Sequence, residues 1–147
     1  TLWTSSLLTQ NYQRLRLRQV NKTVTETMNK TDAAAVAAIA ARAADDKQGS
    51  NIIVLNVGDI LAITEMFVVV SASNSRQLRT IANEVTAKIR EESDRLLLRS
   101  EGMSEQQWVL LDYGDVIVHI FSEEIREFYE IERLYQDVPV VDWQAAS

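Results

Sequence analysis

The chain has 147 residues, 46% of them hydrophobic, which is enough apolar material for one domain around a single core. It holds no cysteine and one histidine, which excludes disulfides, thiolate metal sites, thiol nucleophiles and multi-histidine zinc centres. The net charge is −6, yet residues 1–25 carry Arg14, Arg16, Arg18 and Lys22 and no acid, leaving −10 for residues 26–147. A body this acidic repels nucleic acid phosphates and favours basic partners. No apolar stretch approaches the roughly 20 residues of a membrane span. Nothing follows a secretory pattern either, so an intracellular protein is the expectation, trimmed or processed because it begins at Thr1.

In chain order, the first thirty residues stand apart. They are rich in Thr, Ser, Asn and Gln, and Arg and Leu alternate over residues 14–18. Such a segment reads as a poorly ordered extension, as the remnant of an organelle targeting peptide, or as an arm touching RNA through its arginines. The boundary is expected near Thr31, giving an extension over 1–31 and an α/β domain over 32–147.

Asp32 to Asp46 is alanine-rich and predicts a helix, ended by Lys47-Gln48-Gly49-Ser50. Asn51 to Val57 and Met66 to Ala72 are β-branched runs that predict buried strands. Ser73-Asn74-Ser75 offers a cap for a helix from about Arg76 to Ser93, with Leu78, Ile81, Val85 and Ile89 on its inner stripe. A short strand is expected over Leu96 to Arg99, followed by a loop from Ser100 to Gln106. Ser122 then caps a last helix running to about Tyr135, and Pro139 stops any further helix. The order α, β, β, α, β, β, β, α predicts a compact mixed α/β sheet with helices packed on it.

Between these elements lies Trp108 to Phe121, WVLLDYGDVIVHIF, a hairpin whose two faces are both apolar. Gly114 can take the positive φ that a tight connection needs. Pairing symmetric about Tyr113-Gly114 sets Trp108 opposite His119, Leu110 opposite Ile117 and Asp112 opposite Asp115. One face then carries Trp108, Leu110, Ile117, His119 and Phe121, and the other Val109, Leu111, Val116 and Val118. One core needs one face. The second must be covered by helices of this chain or by another molecule.

Signs of catalysis are sparse. Gly49, Gly58, Gly102 and Gly114 are too scattered for a phosphate-cradling loop or a dinucleotide fingerprint. Asp112 and Asp115 could share a Mg²⁺ for nucleotidyl transfer, but Asp flanks tight turns because it bonds nearby amides. Ser71, Ser73 and Ser75 lack a base, and a lone mid-strand histidine such as His119 is more often packed than catalytic. No cofactor, metal or enzymatic activity is expected.

The hairpin and the residues after it, Arg126, Phe128-Tyr129, Ile131-Glu132-Arg133-Leu134-Tyr135 and Asp137, closely resemble the ribosomal silencing factor family, also called RsfS, Iojap or YbeB. That family shows W-x-LLDYGD-x-VVH-x-F, then R-x-FY-x-LE-x-LW and an acid. Met66 to Val70 followed by Ser73-Asn74-Ser75-Arg76-Gln77 is similar to its D-Y-F-V-I…G-x-S-x-R-Q stretch. The resemblance covers about residues 33–142. Glu65-Met66, Ala72 and Tyr135 depart from the usual Asp-Tyr, Gly and Trp.

The resemblance implies a nucleotidyltransferase-like fold without that activity, and the sequence agrees, since the Gly-Ser followed by an Asp-x-Asp on a strand that the activity requires does not appear. It also implies binding to large-subunit ribosomal protein fourteen, blocking of subunit joining, and a homodimer when free. The setting is the bacterial cytoplasm, or a chloroplast or mitochondrion for a relative acting in ribosome assembly. The expected contact patch has Trp108, Leu110, Ile117, His119 and Phe121 at its centre, Asp112, Tyr113 and Asp115 at its rim, and Arg126 and Tyr129 framing it. RNA would be touched only by the basic arm.

Overall fold

The computed structural model describes residues 33–145 of the chain. Two helices, α1 (Ala33–Asp46) and α2 (Ser75–Ser93), pack on one face of a six-stranded sheet. The strands are β1 (Ser50–Asn56), β2 (Met66–Ala72), β3 (Arg99–Glu101), β4 (Trp108–Asp112), β5 (Val116–Ser122) and β6 (Val140–Val141), in the spatial order β3-β4-β5-β2-β1-β6. Only β2 and β5 run parallel; the other neighbours are antiparallel. The mixed sheet expected from the sequence is therefore present. The boundary near Thr31 and the arginines of the first segment lie outside the described residues.

The uniform apolar runs arise because the sheet is covered on both sides. Every residue of β2 is buried, and so is every residue of β5 before Ser122. A strand with only one wet face would alternate instead. On the first face, Val68, Val70, Val109, Leu111, Val118 and Ile120 meet Leu78, Ile81, Val85 and Ile89 of α2. Alanines Ala37, Ala40, Ala41 and Ala44 of α1 are sealed against the same layer, their small side chains letting the helix approach closely.

Helix ends follow local chemistry. Asn74 caps α2, its side chain accepting from the Gln77 amide (2.8 Å). The Gln77 side chain then donates to the carbonyls of Lys47 (3.0 Å) and Gln48 (2.9 Å), tying the start of α2 to the end of α1.

Three details differ from expectation. Pairing of β3 begins at Arg99, opposite Asp112, and not at Leu96. Arg95 is held by Asp115, so the chain leaves α2 anchored there, and Leu96 and Leu98 stay exposed before the ladder starts. The last helix is broken at Glu130, whose φ of 46° separates α3 (Glu123–Tyr129) from α4 (Ile131–Leu134). This break lets Ile125 and Tyr129 on one side, and Ile131 and Tyr135 on the other, all reach the sheet. Finally, β6 forms just after Pro139, with two residues too few to show any periodicity.

Gly102 fixes the approach to β4. Its φ is +85°, and a Cβ there would collide with the Trp108 carbonyl oxygen. Gly102→Ala is therefore expected to destabilise the fold by about 2 kcal/mol or more. Urea unfolding should show a lower midpoint, and an unchanged midpoint would refute this role.

Candidate functional site

The register of β4 and β5 aligns Trp108 with Phe121, Leu110 with His119 and Asp112 with Ile117. This corrects the symmetric pairing by two residues. The loop is longer than a two-residue turn: the Tyr113 amide donates to the Val116 carbonyl (2.9 Å), and Gly114 adopts φ +94° as expected. A shift of two conserves the faces, because side chains alternate with period two. Trp108, Leu110, Ile117, His119 and Phe121 thus remain on one side of the sheet.

That side is not open. Trp108 is 7% exposed and Leu110 5%, while Ile117, His119 and Phe121 are sealed. The expectation that these five form an exposed apolar centre is corrected: they belong to a second core. It is covered by Leu61 and Ile63 from the loop after β1, by Ile125 and Tyr129 of α3, and by Ile131, Tyr135 and Val138. Trp108 lies 4.7 Å from Phe121 and 5.1 Å from Tyr129 between ring centroids, and Phe67 lies 5.3 Å from Tyr135. Tilted and edge-on pairs of this kind add about 0.5–1.5 kcal/mol each beyond area burial.

The expected rim is also interior. Tyr113 points into the first core, where burial raises its phenol pKa against the opposing influence of Thr86 and Arg95. Asp112 accepts from the Gly114 amide (2.9 Å), and Asp115 receives Arg95 through Nη2 (2.5 Å) and Nη1 (3.3 Å). Arg95 Nη2 also donates to the Tyr113 carbonyl (3.0 Å). Both carboxylates hold the turn in place. Neither is poised for shared metal binding, since their side chains serve different partners.

Arg126 lies at the edge of the second core, itself nearly buried. It donates from Nη1 to Ser71 Oγ (2.9 Å) and from Nε to Glu132 Oε1 (3.2 Å), bridging the break between α3 and α4. Beside it opens a cleft of about 810 Å³ between the start of β1 and the acidic side of α3. Outside the cover, Ile60, Phe128 and Leu134 are each 56% exposed. Reading of the sequence missed these three as surface candidates. Helical periodicity continuing through residue 130 hid the outward turn of Phe128 and Leu134, and Ile60 lies in the loop after β1, where no periodicity operates.

His119 is defined by the tryptophan beside it. Trp108 Nε1–H donates to His119 Nδ1 (3.1 Å), so the neutral ring carries its proton on Nε2. Nε2 is buried without a hydrogen-bond partner among the described residues. Burial lowers the pKa of the imidazole from 6.5 to about 3. A base depressed on folding binds its proton more readily when unfolded, so its contribution is full above pH 6.5 and is lost as pH falls toward 3. Between pH 6.5 and 5, unfolding free energy should fall by about 2 kcal/mol through this group. Denaturant titrations of wild type and His119→Phe at both pH values should show that difference disappearing in the variant. An equal slope would exclude His119 as its source.

Comparison with known proteins agrees with this architecture. The family model for "Ribosomal silencing factor during starvation" matches residues 30–147. The chain is 35% identical over 104 residues to the ribosomal silencing factor RsfS of Halalkalibacterium halodurans, spanning 71% of this chain and 88% of that one. It is equally similar to the RsfS of Bacillus subtilis, over 71% and 87% of the two chains. It is 29% identical to the chloroplastic protein Iojap of Zea mays over 69% of this chain and 44% of that one. A crystal structure of a Chromobacterium violaceum protein superposes with a TM-score of 0.66 at 32% identity, covering 69% of this chain and 83% of the other. The chain belongs to the ribosomal silencing factor family.

Proposed function

We propose that this protein binds the large ribosomal subunit through large-subunit ribosomal protein fourteen and bars the small subunit from joining, so that translation falls. The match of the silencing-factor family model over residues 30–147 carries this reading. A net charge of −10 over residues 26–147 supports it, because complementary charge speeds encounter with a basic ribosomal protein. Inhibition of this kind needs no chemistry. One bound partner excludes another.

The buried positions of the hairpin give this proposal a different geometry from an open sheet face. Trp108, Leu110, Ile117, His119 and Phe121 support the cover from beneath, while Asp112, Tyr113 and Asp115 hold the turn. Contact would then fall to the outer side of the cover, with Phe128, Leu134 and Ile60 as apolar anchors and Arg126 and Tyr129 at its margin. Aromatic residues such as Phe128 are enriched in the cores of interfaces, and Leu134 and Ile60 would add apolar area to bury. We further propose a homodimer in the free state, RNA contact confined to the basic first segment, and action in a bacterial cytoplasm. Similarity to the chloroplastic Iojap protein supports the alternative of a plastid or mitochondrial ribosome-assembly factor.

Trp108→Ala is a poor probe, since emptying a core site costs about 3–5 kcal/mol and can unfold the domain. Phe128→Ala combined with Leu134→Ala removes exposed groups instead. Co-sedimentation with isolated large subunits should weaken about tenfold or more in this double variant, with thermal unfolding nearly unchanged. Small subunits added in excess should displace the wild-type protein. Retained affinity in the double variant would remove the cover from the interface, and absence of binding by wild type would reject the proposal itself.

A further inference from the structure

Local propensity alone would let residues 123–135 run as one straight helix. On such a helix Ile125 and Tyr129, four apart, share one stripe, and Glu132 and Arg133 continue it. Two charges would then face the second core. The αL residue Glu130, with φ 46° and ψ 53°, resets the phase instead, so that Ile131 is 4% exposed and Tyr135 packs on the same cluster. The reset also decides the outer side. Phe128 and Leu134, six apart, would stand about 120° from each other around a straight helix. In the bent chain each faces outward, one on either side of the break.

Left-handed backbone is disfavoured for a glutamate, so the break needs support. Arg126 supplies it through a bond that only the bent chain allows. Its Nε donates to Glu132 Oε1 (3.2 Å) and its Nη1 to Ser71 Oγ (2.9 Å). On a straight helix Glu132 would lie about 9 Å further along the axis and about 120° round from Arg126, out of line for that contact. Glu130, four residues on, would be the neighbour instead. In the structure the Glu130 carboxylate turns to Arg133 (3.0 Å). Ser71, 1% exposed on β2, ties the guanidinium to the centre of the sheet. With Arg126 itself 8% exposed, the three residues form a clasp between β2, α3 and α4.

We infer that Arg126 is a positioning residue: by pairing with Glu132 and not Glu130 it holds the bend, and through the bend it presents Phe128 and Leu134 together to the partner. This rests on the outer side of the cover being the contact surface, as proposed above. Burial of Ile131 and Tyr135 pulls the same way, so loss of the clasp should loosen the surface without unfolding it. The competent fraction then falls, and apparent affinity falls in proportion.

Position 130 makes the test specific, because glycine adopts αL backbone freely and alanine does not. Arg126→Met and, separately, Glu132→Ala should speed hydrogen exchange of residues 131–138 about fivefold, and weaken co-sedimentation with large subunits by a similar factor. Adding Glu130→Gly to either variant should restore most of both. Adding Glu130→Ala removes the same charge and should worsen them. A residue needed only for packing or for surface charge would produce no such divergence between glycine and alanine. Rescue by both substitutions or by neither would overturn the inference. So would exchange unmoved in Arg126→Met and Glu132→Ala, or exchange that rises while affinity holds. Should the wild-type protein fail to bind large subunits, the silencing role falls by itself, and the exchange measurements still decide whether Arg126 holds the bend.

Discussion

Burial of β5 on both faces is the constraint on which the rest of this structure depends. The strand pairs with β4 on one side and with β2 on the other, and none of its residues before Ser122 is open to solvent. Its alternate side chains therefore belong to two different cores. Val116, Val118 and Ile120 look toward the long helices, while Ile117 and Phe121 look toward the short ones. A one-residue slip in register would exchange one layer of apolar groups for another of different shape.

The turn that sets this register is secured by charge as well as by backbone geometry. Arg95 joins the end of α2 to Asp115 and to the Tyr113 carbonyl, in a pair whose side chains are 12% and 3% exposed. Breaking such a pair by removing one partner leaves a buried charge uncompensated, which is costly. The Trp108–His119 bond provides a second internal polar anchor, in the opposite core. It satisfies the indole and one imidazole nitrogen while leaving the other buried and unpaired among the described residues. A polar group retained there at such cost fixes one orientation of the two rings, which a purely apolar pair would not do.

The short helices α3 and α4 connect this interior to the proposed contact surface. They seal the second core with Ile125, Tyr129, Ile131 and Tyr135, and they turn Phe128 and Leu134 outward. The same helices that complete the fold thus position the surface proposed for partner contact. Acidic Glu123 and Glu124 lie in the first turn of α3, where the helix dipole favours them, and they add to the negative character of this side. Separation of a hydrophobic support from an exposed outer layer lets the surface vary without weakening the sheet.

Much of this protein was legible from local rules. Alanine content, the Asn74 cap and the stripe of Leu78, Ile81, Val85 and Ile89 specify two helices, and the runs at 51–57, 66–72 and 108–121 specify strands, because each depends on neighbours within a few residues. The family resemblance rested on the same contiguous motifs. Which face of the hairpin would meet solvent was another matter: both faces are apolar, and periodicity cannot distinguish a partner's surface from a helix that folds back 20 residues later. Packing of Ile131, Tyr135 and Val138 over Phe67 and Trp108, the αL break at Glu130 and the union of Val140 with β1 depend on residues far apart in the chain. Only the tertiary structure could decide them, because long-range burial selects among local conformations that the sequence alone leaves nearly equal in energy.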